Sequence, residues 1–389
     1  MTIANRRWIQ RNLGFDPIAE PPPATTFALA AAAKPKAAPE DFQREIIDFD
    51  FEGPEGASFF AFSTATGLSR FTGIPWPKGL EPKTDNTPRK GKAGALPKAD
   101  VLVVTWTVDE GHALSRVLTP GKDSRNDYLP YRHNYARIAK KMTGRAPALQ
   151  AKRLGTYWTG KIGTKSVVYF KSDSHLSQDT KKAPKPGQTL PNEDLWLQII
   201  KEVQPFLVLT TGTAGGIGKD CEVGDVIVSP IVTFDCQKWL SHEPFSNASY
   251  RFARPNSKLF GKARQLFKAN AARLPPDNKR APKIIVTTSQ AKGVLTTDFF
   301  GFDTSDNRYK LQKKGAVSEM GDAVLGLVRP RVTGSPPSWL AVRNVSDPQI
   351  KAEGSLADQA RQAAAIYKGF GRWSTVCSAI VCWALIAAS

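Results

Sequence analysis

Apolar residues in this chain gather in short continuous runs rather than in strict alternation with polar ones. Val101-Leu-Val-Val104 is the clearest run, followed by Ser166–Phe170, Phe206–Thr210, Asp225–Ser229, Lys283–Thr288 and Trp339–Val345. Runs of this length, rich in β-branched residues, predict strands covered on both faces. Between them the spacing turns helical. Helices are predicted at Thr107–Arg116, Glu193–Val203, Ser257–Ala269, Glu319–Val328 and Ser355–Lys368. The first of these carries acidic residues in its first turn, as a helix N-terminus favours. Strands and helices alternate along the chain, which predicts an α/β fold. A mixed sheet is expected, because Ser166–Phe170 serves equally well as one arm of a hairpin. The most apolar stretch, Val376–Ala388, falls short of the roughly 18–20 residues a membrane helix needs. It reads as a buried final helix, with a tail anchor as the alternative.

Residues 1–97 have a different texture. Pro21–Pro39 is low-complexity Pro, Ala and Lys, and is predicted to be extended or disordered. Glu45–Phe71 holds several phenylalanines that suit a small satellite packed on the main body. Pro77–Lys98 is rich in Pro, Gly and Lys and reads as a linker. The expected organisation is therefore an irregular N-terminal extension over 1–97 and a folded body over 98–389.

Charge narrows the partners. The 389 residues hold 54 Lys and Arg against 35 Asp and Glu, a formal charge of +19, and nearly all the excess lies beyond residue 100. A basic body fits an anionic partner such as a nucleotide, phosphate, nucleic acid or lipid headgroup; a soluble surface of skewed charge is the plain alternative. The four cysteines form no CxxC pair and the histidines do not cluster with them, so neither a zinc site nor a disulfide framework is indicated. Reduced thiols in a cytoplasmic protein are expected, with no metal and no cofactor. No targeting segment is read at the N-terminus.

Four segments carry candidate chemistry, and each has a structural reading beside the chemical one. Thr211-Gly-Thr-Ala-Gly-Gly-Ile-Gly218 follows a predicted strand, and its glycines would let a ligand approach backbone N–H groups. It lacks the P-loop Ser or Thr after Lys219 and the spacing of a dinucleotide fingerprint, and it also fits a tight turn. Asp109-Glu110 stands at a strand end, where ligands bind in open α/β sheets, or else complements a helix dipole. Glu319 and Asp322 are three residues apart and would share one helix face, with Met320 between them as an adaptable apolar surface; the same residues fit a capped helix start. Ser346-Asp347 ends a predicted buried strand before Pro348. A carboxyl partly removed from water there should have a raised pKa, which suits a general acid; an Asx-type turn is the alternative.

The order of these four segments resembles the nucleoside phosphorylase and nucleosidase superfamily, and most nearly its 5′-methylthioadenosine/S-adenosylhomocysteine nucleosidases, from about Asp100 to the C-terminus. The motifs that match are Val101–Ala113, Thr211–Gly216, Gly224–Ser229, Glu319-Met320 and Ser346-Asp347. The resemblance implies a three-layer α/β/α sandwich with a central mixed sheet that cleaves the N-glycosidic bond of a purine nucleoside or of a nucleotide such as AMP. It implies Asp347 as acid to the base, oriented by Ser346, and Glu110 as the residue that positions water, with Asp109 one register step away. It also implies Phe300 stacked on the base, Thr213, Ala214 and Gly215 near the nucleophile, and Met320 with Glu319 along the sugar. A homo-oligomer is implied too, with no membrane partner and no nucleic acid.

One position departs from the family pattern. A glutamate that grips the ribose hydroxyls usually follows the methionine, and here the residue is Gly321, followed by Asp322. Asp322 is the expected substitute, from a shifted position with a shorter arm. Hydrolysis is expected over phosphorolysis, because no arginine lies in Thr211–Gly218 or beside Asp109, although Arg132 and Arg308 are candidates to reach the site from elsewhere. The alternatives are a phosphate-dependent phosphorylase and a nucleoside sensor of weak activity.

Overall fold

The computed structural model describes residue 74 and residues 76–143, 146–179, 184, 187–252, 257–271 and 282–389. The low-complexity segment Pro21–Pro39 and the phenylalanine-rich segment Glu45–Phe71 lie outside these residues. In chain order the strands are β1 (Pro82–Thr84), β2 (Val101–Thr105), β3 (Leu129–Tyr131), β4 (Gly155–Ile162), β5 (Lys165–Ser172), β6 (Leu207–Gly216), β7 (Val226–Ser229), β8 (Ile231–Phe234), β9 (Ser249–Arg251), β10 (Ile284–Val286), β11 (Val294–Thr296), β12 (Val317–Glu319) and β13 (Ser338–Asp347). The helices are α1 (Val108–Leu118), α2 (Tyr135–Ala139), α3 (Pro147–Ala151), α4 (Pro191–Val203), α5 (Ser257–Ala271), α6 (Val324–Val328) and α7 (Leu356–Ala388).

All the strands join one mixed sheet, and β6 is its pivot. It runs parallel to β2 on one side and to β13 on the other, and its last residues pair antiparallel with β12. Strand β5 answers both expectations for Ser166–Phe170, since it is parallel to β2 and forms an antiparallel hairpin with β4. Alternate residues of β2 supply two cores, as the two-residue strand period requires. Val101 and Val103 face α1, α5 and α7, while Leu102 and Val104 face α4 and α6. The sheet is thus covered on both faces by helices, which makes the α/β/α sandwich and explains why the strands read as continuous apolar runs.

Two predicted boundaries change. Glu319–Val328 is not one helix: β12 ends at Glu319 and α6 begins only at Val324. The expected shared helix face of Glu319 and Asp322 is replaced by a strand end followed by a turn. At the C-terminus the predicted helix and the apolar run fuse into α7, whose buried end, Val376–Leu385, is at most 1% exposed. The helix packs against α1, α5, β13 and β6. Each large side chain buried there contributes roughly 1.5–3 kcal/mol relative to exposure. Among the described residues no helix is long and apolar enough to cross a membrane.

Residues 76–97, part of the expected extension, contribute β1 to the edge beside β4. They also clasp α7. Trp76 packs on Trp383 at 4.4 Å between ring centroids, and the Trp383 indole donates to the Leu80 carbonyl at 2.6 Å.

Candidate active site

The end of β6 and the elements around it enclose a cavity of about 750 Å3, counted out to its mouth. Glu110, Thr213, Ala214, Gly215, Phe300, Glu319, Met320, Ser346 and Asp347 all line it, together with Trp106, His175 and Arg343. Nine of the ten residues singled out from the sequence are brought together; Asp322 is not among the lining residues.

Glu110 enters through the start of α1. Thr107 caps that helix and accepts from the Glu110 amide at 3.1 Å, while Glu110 Oε2 accepts from the Thr107 amide at 3.0 Å, a reciprocal capping box. Oε2 also accepts from the Trp106 amide at 3.2 Å and the Thr105 hydroxyl at 3.0 Å. The other oxygen, Oε1, reaches across to β6 and accepts from the Thr213 amide at 2.7 Å and its hydroxyl at 2.6 Å. Glu110 thus both caps the start of α1 and lines the cavity. Gly212 makes the crossing possible. Its φ is +151°, and a Cβ there would stand 2.5 Å from Oε1. The Gly212 carbonyl is fixed from below by the Asn344 amide at 2.7 Å, which also donates to Ser378 of α7 at 2.9 Å. Asp109, by contrast, is half exposed and pairs with Arg125 at 2.9 Å.

Asp347 enters at the opposite end, where an irregularity between Val345 and Asp347 shifts the register of β13 on β6. Its Oδ1 accepts from the Ser346 hydroxyl at 2.8 Å. A Cβ on Gly215 would stand 3.0 Å from Oδ2, so that glycine too leaves room for a carboxyl. Burial pushes the Asp347 carboxyl up to about 7, against the lowering effect of Ser346.

The third acidic group is neutralised from within. Arg343, on β13, donates to Asp322 through Nε at 2.8 Å and Nη2 at 2.6 Å, and Nη2 lies 3.1 Å from Glu319 Oε2. All three side chains are buried. Glu319 also accepts from the Thr296 hydroxyl, from the Gly321 amide at 2.7 Å and from the Asp322 amide at 3.0 Å. Burial and the neighbouring Asp322 charge push Glu319 up to about 8, with Arg343 opposing them. Asp322 thus turns towards the guanidinium and not towards the cavity. The turn at Gly321 is what lets Trp106 approach, since a Cβ there would meet the indole at 3.2 Å. The indole in turn lies over Arg343, 4.7 Å from its ring centroid.

His175 completes the wall. Burial, helped by the Lys171 charge, lowers its pKa to about 3, so the ring is neutral across the physiological range. Arg132 is committed to the Lys152 carbonyl at 3.2 Å, and neither it nor Arg308 lines the cavity. Among the described residues no group of three or more His, Cys, Asp or Glu side chains is placed to hold a metal. The four cysteines are buried and form no disulfide.

The sequence reading missed Arg343 and Trp106. A lone cation within a buried apolar strand is a readable signal, because it demands buried partners, and Glu319 and Asp322 were the acids at hand. Trp106 follows the first strand directly, at the kind of strand end where ligands sit. His175 carries no comparable local signal.

The fold and the cavity define an α/β protein with carboxyl groups gathered around one cavity, at strand ends and at the start of α1. The model of the phosphorylase superfamily matches residues 128–365, more than half of the chain, and the protein belongs to that superfamily. Solved structures with a similar chain path include 5′-methylthioadenosine/S-adenosylhomocysteine nucleosidase from Neisseria meningitidis in complex with methylthio-immucillin-A (16% identity, 75% of this chain and 100% of that one, TM-score 0.44). They also include futalosine hydrolase from Helicobacter pylori (15% identity, 74% and 96%, TM-score 0.45). No curated protein sequence matches the chain.

Proposed function

We propose that the protein hydrolyses the N-glycosidic bond of a purine nucleoside, or of a nucleotide such as AMP, to free base and sugar. The observation that carries this reading is Asp347, a buried carboxyl with one side-chain donor and a pKa raised to about 7. Such a group holds a proton near neutral pH and can release it, as a general acid requires. Its proton passes to a ring nitrogen of the base as the C1′–N bond breaks and the bonding electrons leave with the base. The sugar takes on oxocarbenium character, water adds to C1′ from the far side and keeps one hydrogen as the new hydroxyl, its other proton passes to solvent, and Asp347 is reprotonated from solvent.

The far side is the Glu110 end. Gly212 and Gly215, which admit the two carboxyls, are separated by about 10 Å of strand. Glu110 already accepts five hydrogen bonds, more than the roughly four lone-pair sites a carboxylate offers. It therefore acts through Thr213, fixing that hydroxyl so that its oxygen lone pairs face the water. Phe300 offers a flat apolar wall for the base, and Met320 one for the sugar.

Arg343 favours water over phosphate as nucleophile. It is the arginine of the cavity lining, and its charge is already matched by the buried Asp322 carboxylate, which it grips through two nitrogens, so an incoming phosphate would compete with that carboxylate for it. The test is incubation with adenosine, methylthioadenosine, S-adenosylhomocysteine, inosine and AMP, with and without phosphate, following free base and sugar. Phosphate-independent base release is expected. No base from any substrate sinks the reading, and phosphate-dependent release of a sugar 1-phosphate replaces hydrolysis by phosphorolysis.

A further inference from the structure

Side chains of β13 alternate between the two faces of the sheet. Leu340 and Val342 pack in the core that α7 covers, and Arg343 lines the cavity. By that period Asn344 falls on the α7 face, where an apolar side chain would continue the pattern. It is instead a fully buried carboxamide. Its Nδ2 donates to the Gly212 carbonyl at 2.7 Å and to the Ser378 hydroxyl at 2.9 Å. Ser378 sends its own hydrogen to the Thr375 carbonyl at 3.0 Å, which leaves it an acceptor towards Asn344. Turned over, the amide would set its oxygen against the Gly212 carbonyl. The observed orientation leaves Oδ1 buried without a hydrogen-bond partner. An unmatched buried acceptor is destabilising, and a leucine would carry none. The donation to Gly212 is what an apolar residue could not supply.

The Gly212–Thr213 peptide unit is where that donation matters. Its C=O and N–H lie in one plane and point to opposite sides. Asn344 holds the C=O from the α7 side, and Glu110 Oε1 holds the N–H from the cavity side at 2.7 Å. Gly212, at φ +151°, has no side chain to resist a turn of this plane. The Thr213 hydroxyl, which donates to Glu110 at 2.6 Å, moves with it. We infer that Asn344 is a positioning residue for the attacking water: it pins this peptide from behind and so fixes the angle at which the Thr213 hydroxyl meets the water. The inference rests on the nucleosidase reading and adds to it a residue outside the cavity.

Methanol added to the reaction separates this role from a structural one. It competes with water by adding to C1′ through its oxygen, gives a methyl glycoside in place of the free sugar, and releases its proton to solvent. The ratio of the two products reports how strictly the site selects its nucleophile, and it does not depend on the fraction of protein that is folded. Asn344→Leu keeps the branched shape and has no donor. Its kcat is expected to fall about tenfold with KM little changed, and its share of methyl glycoside to rise about threefold or more. Ser378→Ala leaves the bond to Gly212 in place and removes the partner that steadies Asn344. It is expected to shift the ratio in the same direction by less, and it decides the question if Asn344→Leu does not fold. A product ratio unchanged from that of the unaltered protein overturns the inference, whatever happens to kcat. Base release by the unaltered protein is measured first. No release, or release only with phosphate, is a failure of the nucleosidase reading and takes the inference with it, whereas release with an unchanged ratio is a failure of the inference alone.

Discussion

Glu110 and Asp347 are both buried carboxyl groups, and each is set against a glycine of β6. What separates them is the number of donors around them. Glu110 collects five hydrogen bonds from the start of α1 and from Thr213, whereas Asp347 has the Ser346 hydroxyl. Burial raises the pKa of Asp347 because few donors repay the loss of water. The same degree of burial at Glu110 makes a rigid strut that joins a helix N-terminus to the glycine-rich strand. Donor count is thus what distinguishes the two buried carboxyls.

The sharpest way to break this comparison is Asp347→Asn. It keeps the shape and removes the proton, so kcat/KM should fall about 100-fold or more. The pH profile is the more specific readout. A carboxyl raised to about 7 is protonated below that value, so kcat/KM of the unaltered protein should fall as pH rises through about 7. The variant should lose that limb. The stability sign agrees. The folded state favours the neutral form, so this contribution is present at low pH and is lost as pH rises through about 7. The fall in melting temperature over that range should be smaller in the variant, and the difference between the two proteins removes the similar contribution of Glu319. An unchanged rate would take Asp347 out of the mechanism.

Glu110→Gln tests the other end with a smaller expected effect. The amide NH2 must replace one carboxylate oxygen, so a donor would face the Thr213 pair or the three donors from Thr105 to Thr107. Leaving such groups unmatched costs about 1–3 kcal/mol of stability, visible in urea unfolding. Through the loosened Thr213 hydroxyl, kcat should drop by about tenfold, the kinetic equivalent of a loss on that scale. The falling limb near pH 7 should remain, because Asp347 is untouched. If that limb vanished in this variant, the division of labour between the two carboxyls would be wrong.

How much of this was legible in the sequence follows from how local each cause is. The strands of the sandwich were readable because burial on both faces writes itself as unbroken β-branched runs, as in Val101–Val104. Glu110 and Asp347 were readable because each stands at a strand end beside its own cap or orienting hydroxyl. Asp322 misled because its neighbour in sequence was taken as its neighbour in function. The Arg343 guanidinium, brought beside it by β13, determines its direction instead. The short strands β8, β11 and β12 have three or four residues each and leave no periodic trace. The fusion of α7 was hidden because the sequence of its first part mixes charged and apolar residues while Val376–Ala388 is almost wholly apolar, two patterns that one helix joins.

The smallest change sharpens the comparison most finely. Ser346→Ala deletes the side-chain hydroxyl that donates to Asp347 and opposes the effect of burial. Without it the charged carboxylate loses a stabilising partner while the neutral acid loses little, so the pKa must rise further. A hydrogen bond of about 0.5–1.5 kcal/mol corresponds to roughly half to one pH unit. The falling limb of kcat/KM should therefore move upward by that amount, and activity on its alkaline side should rise a few-fold even though a contact has been removed. A merely structural role for Ser346 would lower activity at every pH and leave the limb where it was. An upward shift would show that the Ser346 donor sets the proton affinity of Asp347 against the effect of burial.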